Sequence, residues 1–265
     1  MIIYWNVDPI FFSIGGIHIR WYGLFFAGAF MAGSYIMHRI YDRENVSPAE
    51  LEHLFAYMIL GTIIGARLGH CLFYDPVYYF THPVNILKVW EGGLASHGGA
   101  LGILIALAFF SRRHNHPMSW LLDRLTIPVA FGGALIRIGN FMNSEIVGLP
   151  THSDWGIVFE RVDSLPRHPV QLYESLAYLW IFVLLVLVYR FRGHKLANGN
   201  LAGLFLVAIF TVRFLLEYVK TPQAEFAMPL GLHMGQLLSI PFIAAGVALL
   251  INRSWQRRRN DRPVD

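Results

Sequence analysis

The chain has a single cysteine in 265 residues, Cys71, and that residue lies inside an apolar stretch. A disulfide framework and a cysteine-based metal site are both excluded. Charge is scarce as well, at 14% of residues. A soluble domain of this length needs a more polar surface. No basic segment leads into the first apolar span and no Ala-x-Ala follows it, so that span is expected to be retained rather than cleaved. His-Glu-x-x-His, Gly-x-Ser-x-Gly and the glycine-rich phosphate loop are all missing. The sequence also lacks internal repeats, low-complexity tracts and a soluble second domain.

What the chain has in plenty is apolar surface. Hydrophobic residues make up 55% of it, and the mean hydropathy is +0.46. That density implies lipid as part of the solvent. Spans of roughly 20 apolar residues are expected at Trp21–Arg39, Leu51–Tyr74, Gly92–Ser111, Trp120–Phe141, Val170–Tyr189, Gly199–Tyr218 and Met234–Ile251. The expected fold is an all-α polytopic membrane protein, a single integral membrane domain over residues 1–265 with about seven transmembrane helices. The net charge is +4 and the pI about 9.3. Those charges cluster in short loops between spans, which argues against nucleic acid as a partner.

The basic residues set an orientation. One set of loops holds Arg39, Arg43, Arg112, Arg113, Arg190, Arg192 and Lys195, and the tail adds Arg253, Arg257, Arg258, Arg259 and Arg262. The other set holds Arg20, Lys88, Arg161, Arg167 and Lys220. The first set is expected inside, which puts the N-terminus out and the C-terminus in, as an odd span count requires. Two outer segments exceed plain turns. Asp75–Glu91 is aromatic and proline-punctuated and is expected in the membrane interface. Residues 140–169 are expected to form a small external cap with a strand at Trp155–Phe159. On the second span, Gly61, Gly65 and Gly69 allow a neighbouring helix to approach closely.

Charges inside spans are costly, so each is a candidate for function. They are Arg67, Asp123 with Arg124, Arg137, and Arg213 with Glu217. The last two are spaced i, i+4 and face one way. Arg137 is followed by Gly139, Asn140, Asn143, Glu145 and Gly148, a density of small and polar groups that suits a pocket with close backbone approach. Guanidinium matches phosphate oxygens in a planar fork, so Arg137 and Arg213 point to an anion, with a phospholipid headgroup as the abundant one at that depth. His97 sits between glycine pairs at the mouth of a span, with a side chain suited to proton transfer near neutral pH. Ser96 is its sequence neighbour, but adjacency does not make a triad.

These residues resemble a known family. Tyr22 in Trp-Tyr-Gly-Leu24, the Glu91–Gly102 stretch, Asp123, Arg137–Gly148, His168–Glu174, Arg213–Glu217 and Met234–Ser239 are similar, in order, to the motifs of the prolipoprotein diacylglyceryl transferases. Two positions depart from the pattern. Ile136 stands where the family usually has glycine, and Ile209 where some members have tyrosine, so no tyrosine role carries over there.

The resemblance implies an enzyme of the bacterial inner membrane, with its site open to the periplasmic side. It implies transfer of a diacylglyceryl group from phosphatidylglycerol to the lipobox cysteine thiol of a prolipoprotein, leaving a thioether and glycerol-1-phosphate. The nucleophile then belongs to the substrate, and no metal or organic cofactor is needed. His97 is the first candidate base and Glu145 the second. Arg137 and Arg213 would stabilise the leaving phosphate. Tyr22, Asn140, Asn143 and Gly148 would line the lipid site, while Glu217 and Asp123 would orient the arginines. A lipid or anion transporter using the intramembrane arginines is the rival reading; a purely structural subunit leaves the Asn140–Gly148 cluster without a purpose.

Overall fold

A computed structural model describes residues 1–192, 197–221 and 232–260. Lys195 and Arg262 lie outside the described residues. Long helices stand at all seven expected places: α1 (Trp21–Arg43), α2 (Pro48–Phe73), α4 (Ser96–His114), α5 (Met118–Met142), α6 (Val170–Arg192), α7 (Asn200–Leu216) and α8 (Met234–Asn260), with a short α3 (Pro76–Thr81) between α2 and α4. Among the described residues, five are long and apolar enough to cross a membrane: α2, α5, α6, α8, and α7 with its following turn. The other two fall short for visible reasons. α1 holds three Tyr and three Gly and closes on a largely polar run from His38 to Arg43, and the 19 residues of α4 open on Ser96-His97 and close on Arg112-Arg113-His114. The protein is an all-α polytopic membrane protein with a small β-containing cap.

The chain forms two compact units, Met1–Met37 with Leu122–Asp265, and His38–Leu121. The divisions fall inside α1 and α5.

In the His38–Leu121 unit, α2 and α4 meet along the glycines expected to admit a neighbour. A methyl group on Gly61 would lie 2.7 Å from the carbonyl oxygen of Gly102, and one on Gly69 would lie 2.7 Å from the Cα of Gly98. Backbone thus touches backbone, the packing that small residues permit in lipid. Arg67 emerges from this seam and is 3% exposed. Its guanidinium donates to the carbonyls of Ile86 (2.9 Å), Asn85 (2.5 Å) and Gly92 (2.6 Å), and it lies 5.0 Å from the Tyr79 ring centroid. Carbonyl oxygens occupy both edges of the fork, so Arg67 secures the segment after α3 and is no anion ligand. Together α3 and that segment expose Val77, Phe80, Val84, Leu87 and Trp90, the apolar surface expected of an interfacial stretch.

In the other unit, β4 (Gly156–Phe159) forms within the expected strand. The sequence reading did not anticipate its partners. β1 (Ile2–Trp5) pairs with it in parallel, and β5 (Pro166–Arg167) antiparallel. β2 (Ile10–Ile14) and β3 (Ile17–Arg20) form a hairpin. Its turn residues, Gly15 and Gly16, have φ of 52° and 84°, as a two-residue hairpin turn demands. The cap therefore draws on residues 1–20 as well as on 140–169. Its core is Phe141, Val147, Ile157 and Phe159, with the Trp5 ring tilted against Phe141 at 4.4 Å. Phe159 is fully buried, worth about 1.5–3 kcal/mol.

Beneath the cap, α1 packs on α5 through small residues: a methyl on Gly132 would meet Ala29 at 3.5 Å, and one on Gly139 would meet Tyr22 at 3.0 Å. Ser175 of α6 donates to the Ala134 carbonyl at 3.1 Å. Phe210 and Phe242 stack at 4.3 Å where α7 meets α8.

Candidate functional site

Arg137 lies on the last turns of α5, at the cap end of its unit. Its Nε is 2.6 Å from Glu174 Oε2, and its Nη1 donates to Asn140 Oδ1 at 3.1 Å. Asn140 donates in turn to Glu145 at 3.3 Å, and Asn143 donates to the other Glu145 oxygen at 3.1 Å. The helical spacing brings Asn140 and Asn143 back towards Arg137, and the turn that follows returns Glu145 to both amides. Four residues of the signature thus form one connected network.

The turn itself is strained. Ser144 and Ile146 have φ of 55° and 56°, and a β-branched residue is an outlier there. Such a conformation costs about 1–3 kcal/mol and persists only where its surroundings enforce it. Here the buried Gln171 amide donates to the Glu145 carbonyl at 2.6 Å. Gly148 then pairs with both Lys220 and His168. Its carbonyl accepts from Arg167 (2.9 Å) and Thr221 (3.1 Å), and a Cβ there would lie 2.7 Å from the His168 Cβ. Gly148 was expected to line the lipid site. The structure instead surrounds it with its own chain and makes it the junction that brings Lys220 alongside.

Lys220 is 4% exposed, and its Nζ stands 3.6 Å from Glu174 Oε1. Burial pushes its ammonium below the ordinary lysine range. Glu174 opposes this most strongly, Arg137 adds to it, Glu217 opposes it and Arg213 adds to it. That set of neighbours places Arg137, Arg213, Lys220, Glu174 and Glu217 in one electrostatic cluster. Tyr178 of α6 is buried beside Arg137 and Arg213. Polar capacity is left over: Arg213 Nε, Asn143 Oδ1, Ser144 Oγ and Gln171 Oε1 are buried without a hydrogen-bond partner among the described residues. Buried polar atoms are nearly always paired, so these orphans, just after α5, at the start of α6 and near the end of α7, mark a place for a polar ligand.

Two expected orienting residues have backbone N–H groups as their hydrogen-bond partners. The described partner of Glu217 is the backbone N–H of Gly235 at 3.3 Å, not Arg213. α7 ends at Leu216, and the free amides at the start of α8 attract a carboxylate more directly. Asp123 accepts from the backbone N–H of Gly199 (2.7 Å) and of Ala202 (2.8 Å). It caps the start of α7, and lies fourteen residues before Arg137 on α5, roughly 21 Å away at 1.5 Å per residue.

Tyr22, Asn143 and Glu145 line a cleft of about 560 Å³, joined by His18 and Arg20 of β3. Arg20 and His18 were not singled out, because nothing local marks a hairpin strand as a cleft wall. Glu174 and Lys220 were also missed as site members. The intramembrane-charge rule would have flagged Glu174, which lies on the second turn of a span. His97 belongs to the other unit. It is exposed at the start of α4 and lines a cleft of about 380 Å³ with Gly69, Phe73, Tyr74, Gly98 and Leu101.

The fold and this cluster define a multi-pass membrane protein with a buried polyionic site. A family model described as prolipoprotein diacylglyceryl transferase matches residues 9–252. A protein of Tolumonas auensis is 49% identical over 258 residues, covering 97% of this chain and 100% of its own. One from Chloroherpeton thalassium is 52% identical over 249 residues, covering 94% and 93%, and one from Porphyromonas gingivalis is 44% identical over 265 residues, covering 94% of each. All three bear the name phosphatidylglycerol–prolipoprotein diacylglyceryl transferase. The chain belongs to the prolipoprotein diacylglyceryl transferase family and is a transferase.

Proposed function

We propose that the chain moves the diacylglyceryl group of phosphatidylglycerol onto the lipobox cysteine of a prolipoprotein, with the headgroup phosphate held by Arg137 and Arg213. The observation that carries this is their shared cluster, in which Arg213 Nε has no partner among the described residues. The substrate sulfur attacks the glycerol carbon that bears the phosphate ester. The C–S bond forms, the C–O bond breaks, and glycerol-1-phosphate leaves with the electron pair. The thiol proton passes to a base, His97 first and Glu145 second. A thiol with an ordinary pKa near 8.5 benefits from one, since the thiolate is the nucleophile.

The phosphate carries one negative charge as a diester and approaches two as it leaves. Donors aimed at that growing charge lower the barrier more than donors that merely bind lipid. Tyr22, Asn140 and Asn143 hold headgroup hydroxyls in this reading. The protein sits in the bacterial inner membrane with the cap on the periplasmic side. Arg43, Arg112, Arg113, Arg190 and Arg192, at the C-terminal ends of α1, α4 and α6, support that orientation by the positive-inside rule.

The test is purified protein with phosphatidylglycerol and a lipobox peptide, following modified peptide and released glycerol phosphate. Arg137→Lys and Arg213→Lys keep the charge and lose the fork. Each should lose roughly a hundred- to a thousandfold in rate while folding normally. Wild-type turnover in either variant overturns the phosphate clamp.

A further inference from the structure

Glu174 stands between two cations that come from different elements. It lies on the second turn of α6 and is 1% exposed. One carboxylate oxygen is 2.6 Å from Arg137 Nε, and the other is 3.6 Å from Lys220 Nζ. The contact with Arg137 is an ion pair without hydrogen-bond alignment, so Glu174 holds the guanidinium in place by charge at close range. An ammonium has no plane of its own and is located only by its partners.

We propose that Glu174 is a positioning residue for the transfer step, holding Arg137 and Lys220 together so that both face the leaving phosphate. This rests on the phosphate-clamp reading above and adds Lys220 as a third cation on the departing group. The charges are consistent with it. Arg137, Arg213 and Lys220 face Glu174 and Glu217, which leaves one positive charge in excess. The leaving phosphate gains about one negative charge as the C–O bond breaks.

The groups facing Lys220 are Glu174 of α6, Arg137 of α5, Arg213 of α7 and Glu217 of the turn after α7. Glu174 is the strongest influence keeping the buried ammonium protonated. Its loss should make Lys220 give up its proton at lower pH, and that is readable in the rate. The experiment measures kcat and KM for phosphatidylglycerol with a lipobox peptide across neutral to alkaline pH in wild type, Glu174→Gln, Glu174→Asp and Lys220→Arg.

Glu174→Gln should lose on the order of a hundredfold in kcat, as expected when a reacting group is misplaced, with little change in KM. Its alkaline limb should move to lower pH by about one unit or more, the effect of removing a nearby opposite charge. Glu174→Asp should recover much of the rate. Lys220→Arg should abolish the alkaline limb, because guanidinium does not titrate in this range. Full kcat in Glu174→Gln, or a loss of rate with the limb unmoved, overturns the proposal. If Glu174→Gln does not fold, Lys220→Arg decides: a limb that persists in it overturns the proposal. Arg137→Lys separates the two levels. Full turnover there sinks the clamp itself, whereas loss there beside wild-type behaviour in every Glu174 variant sinks only the positioning role.

Discussion

Gly98 and Gly99 are neighbours on α4 in opposite situations, and adding one methyl group to each tests the helix seam. A Cβ on Gly98 would lie 2.8 Å from the Gly69 Cα and closer still to the Gly65 carbonyl oxygen. Ordinary contact begins at 3.4 Å, so α2 and α4 must part by at least 0.6 Å at Gly69, and further at Gly65. A Cβ on Gly99 would meet Ala66 at 3.5 Å and Thr62 at 3.7 Å, which is ordinary contact. Forcing a methyl into a packed site costs about 1–3 kcal/mol, and here backbone rather than a pliable side chain must yield. Alanine over glycine returns up to about 1 kcal/mol of helix propensity at either position. The propensity gain is common to both, so the two variants should differ by about 1–3 kcal/mol, with Gly99→Ala neutral or stabilised and Gly98→Ala destabilised. In thermal unfolding of detergent-solubilised protein that is a gap of roughly 2–12 °C. Equal midpoints would refute the reasoning. Because Gly69 and Gly98 also line the cleft at His97, transfer activity should fall with Gly98→Ala and hold with Gly99→Ala.

Further outcomes follow from single residues. Asp123→Ala frees two buried amides at the start of α7 and should cost about 2 kcal/mol of stability. Asp123→Asn keeps an acceptor and should cost less. Both should retain transfer activity at temperatures where they stay folded, and a selective loss of kcat without a stability change would return Asp123 to the site. His97→Gln should lower the rate across pH 6 to 8 and flatten its rise with pH, measured as peptide modification; a full rate across that range removes histidine as the base. The hydrogen bond from Arg167 holds the Asp163 carboxyl below its ordinary value. That contribution to stability is complete above the ordinary Asp pKa near 3.9 and is lost as pH falls through the depressed one. The stability gap between wild type and Asp163→Asn should therefore be constant at neutral pH and close in acid. A gap that widened in acid would contradict the pairing.

Hydropathy was enough to place the helices, because a span is a local property of about 20 residues. It also located the α2 glycines, since their spacing repeats on one helix face. β1 carried no comparable signal: four apolar residues read alike as a strand or as a ragged helix start, and its partner lies at Gly156–Phe159. The Arg137–Glu145 network was legible because all its members fall within nine positions of one another. Lys220 was placed among outer loop charges, where composition alone leaves it. It reaches Glu174 only through the pairing of Gly148 with Lys220, a contact across 72 residues that no window along the sequence contains. Asp123 shows the converse. A carboxylate near the end of a span looks chemical in sequence, and only the approach of Gly199 and Ala202 reveals a helix cap.

The parallel pairing of β1 with β4 has a consequence for the order of assembly. Ile2 is made first, and its partner Gly156 follows 154 residues later. At about 5–20 residues per second, that interval is roughly 8–30 s. Over that time the leading strand has no edge to join, while α1, α2, α4 and α5 are being made. The turn carrying Asn140, Asn143 and Glu145 packs beneath this same sheet through Phe141 and Phe159. The polar network therefore cannot mature with its own helix. It must wait for the cap to close over it, so a nascent chain that has finished α5 has Arg137 in place but not yet a site.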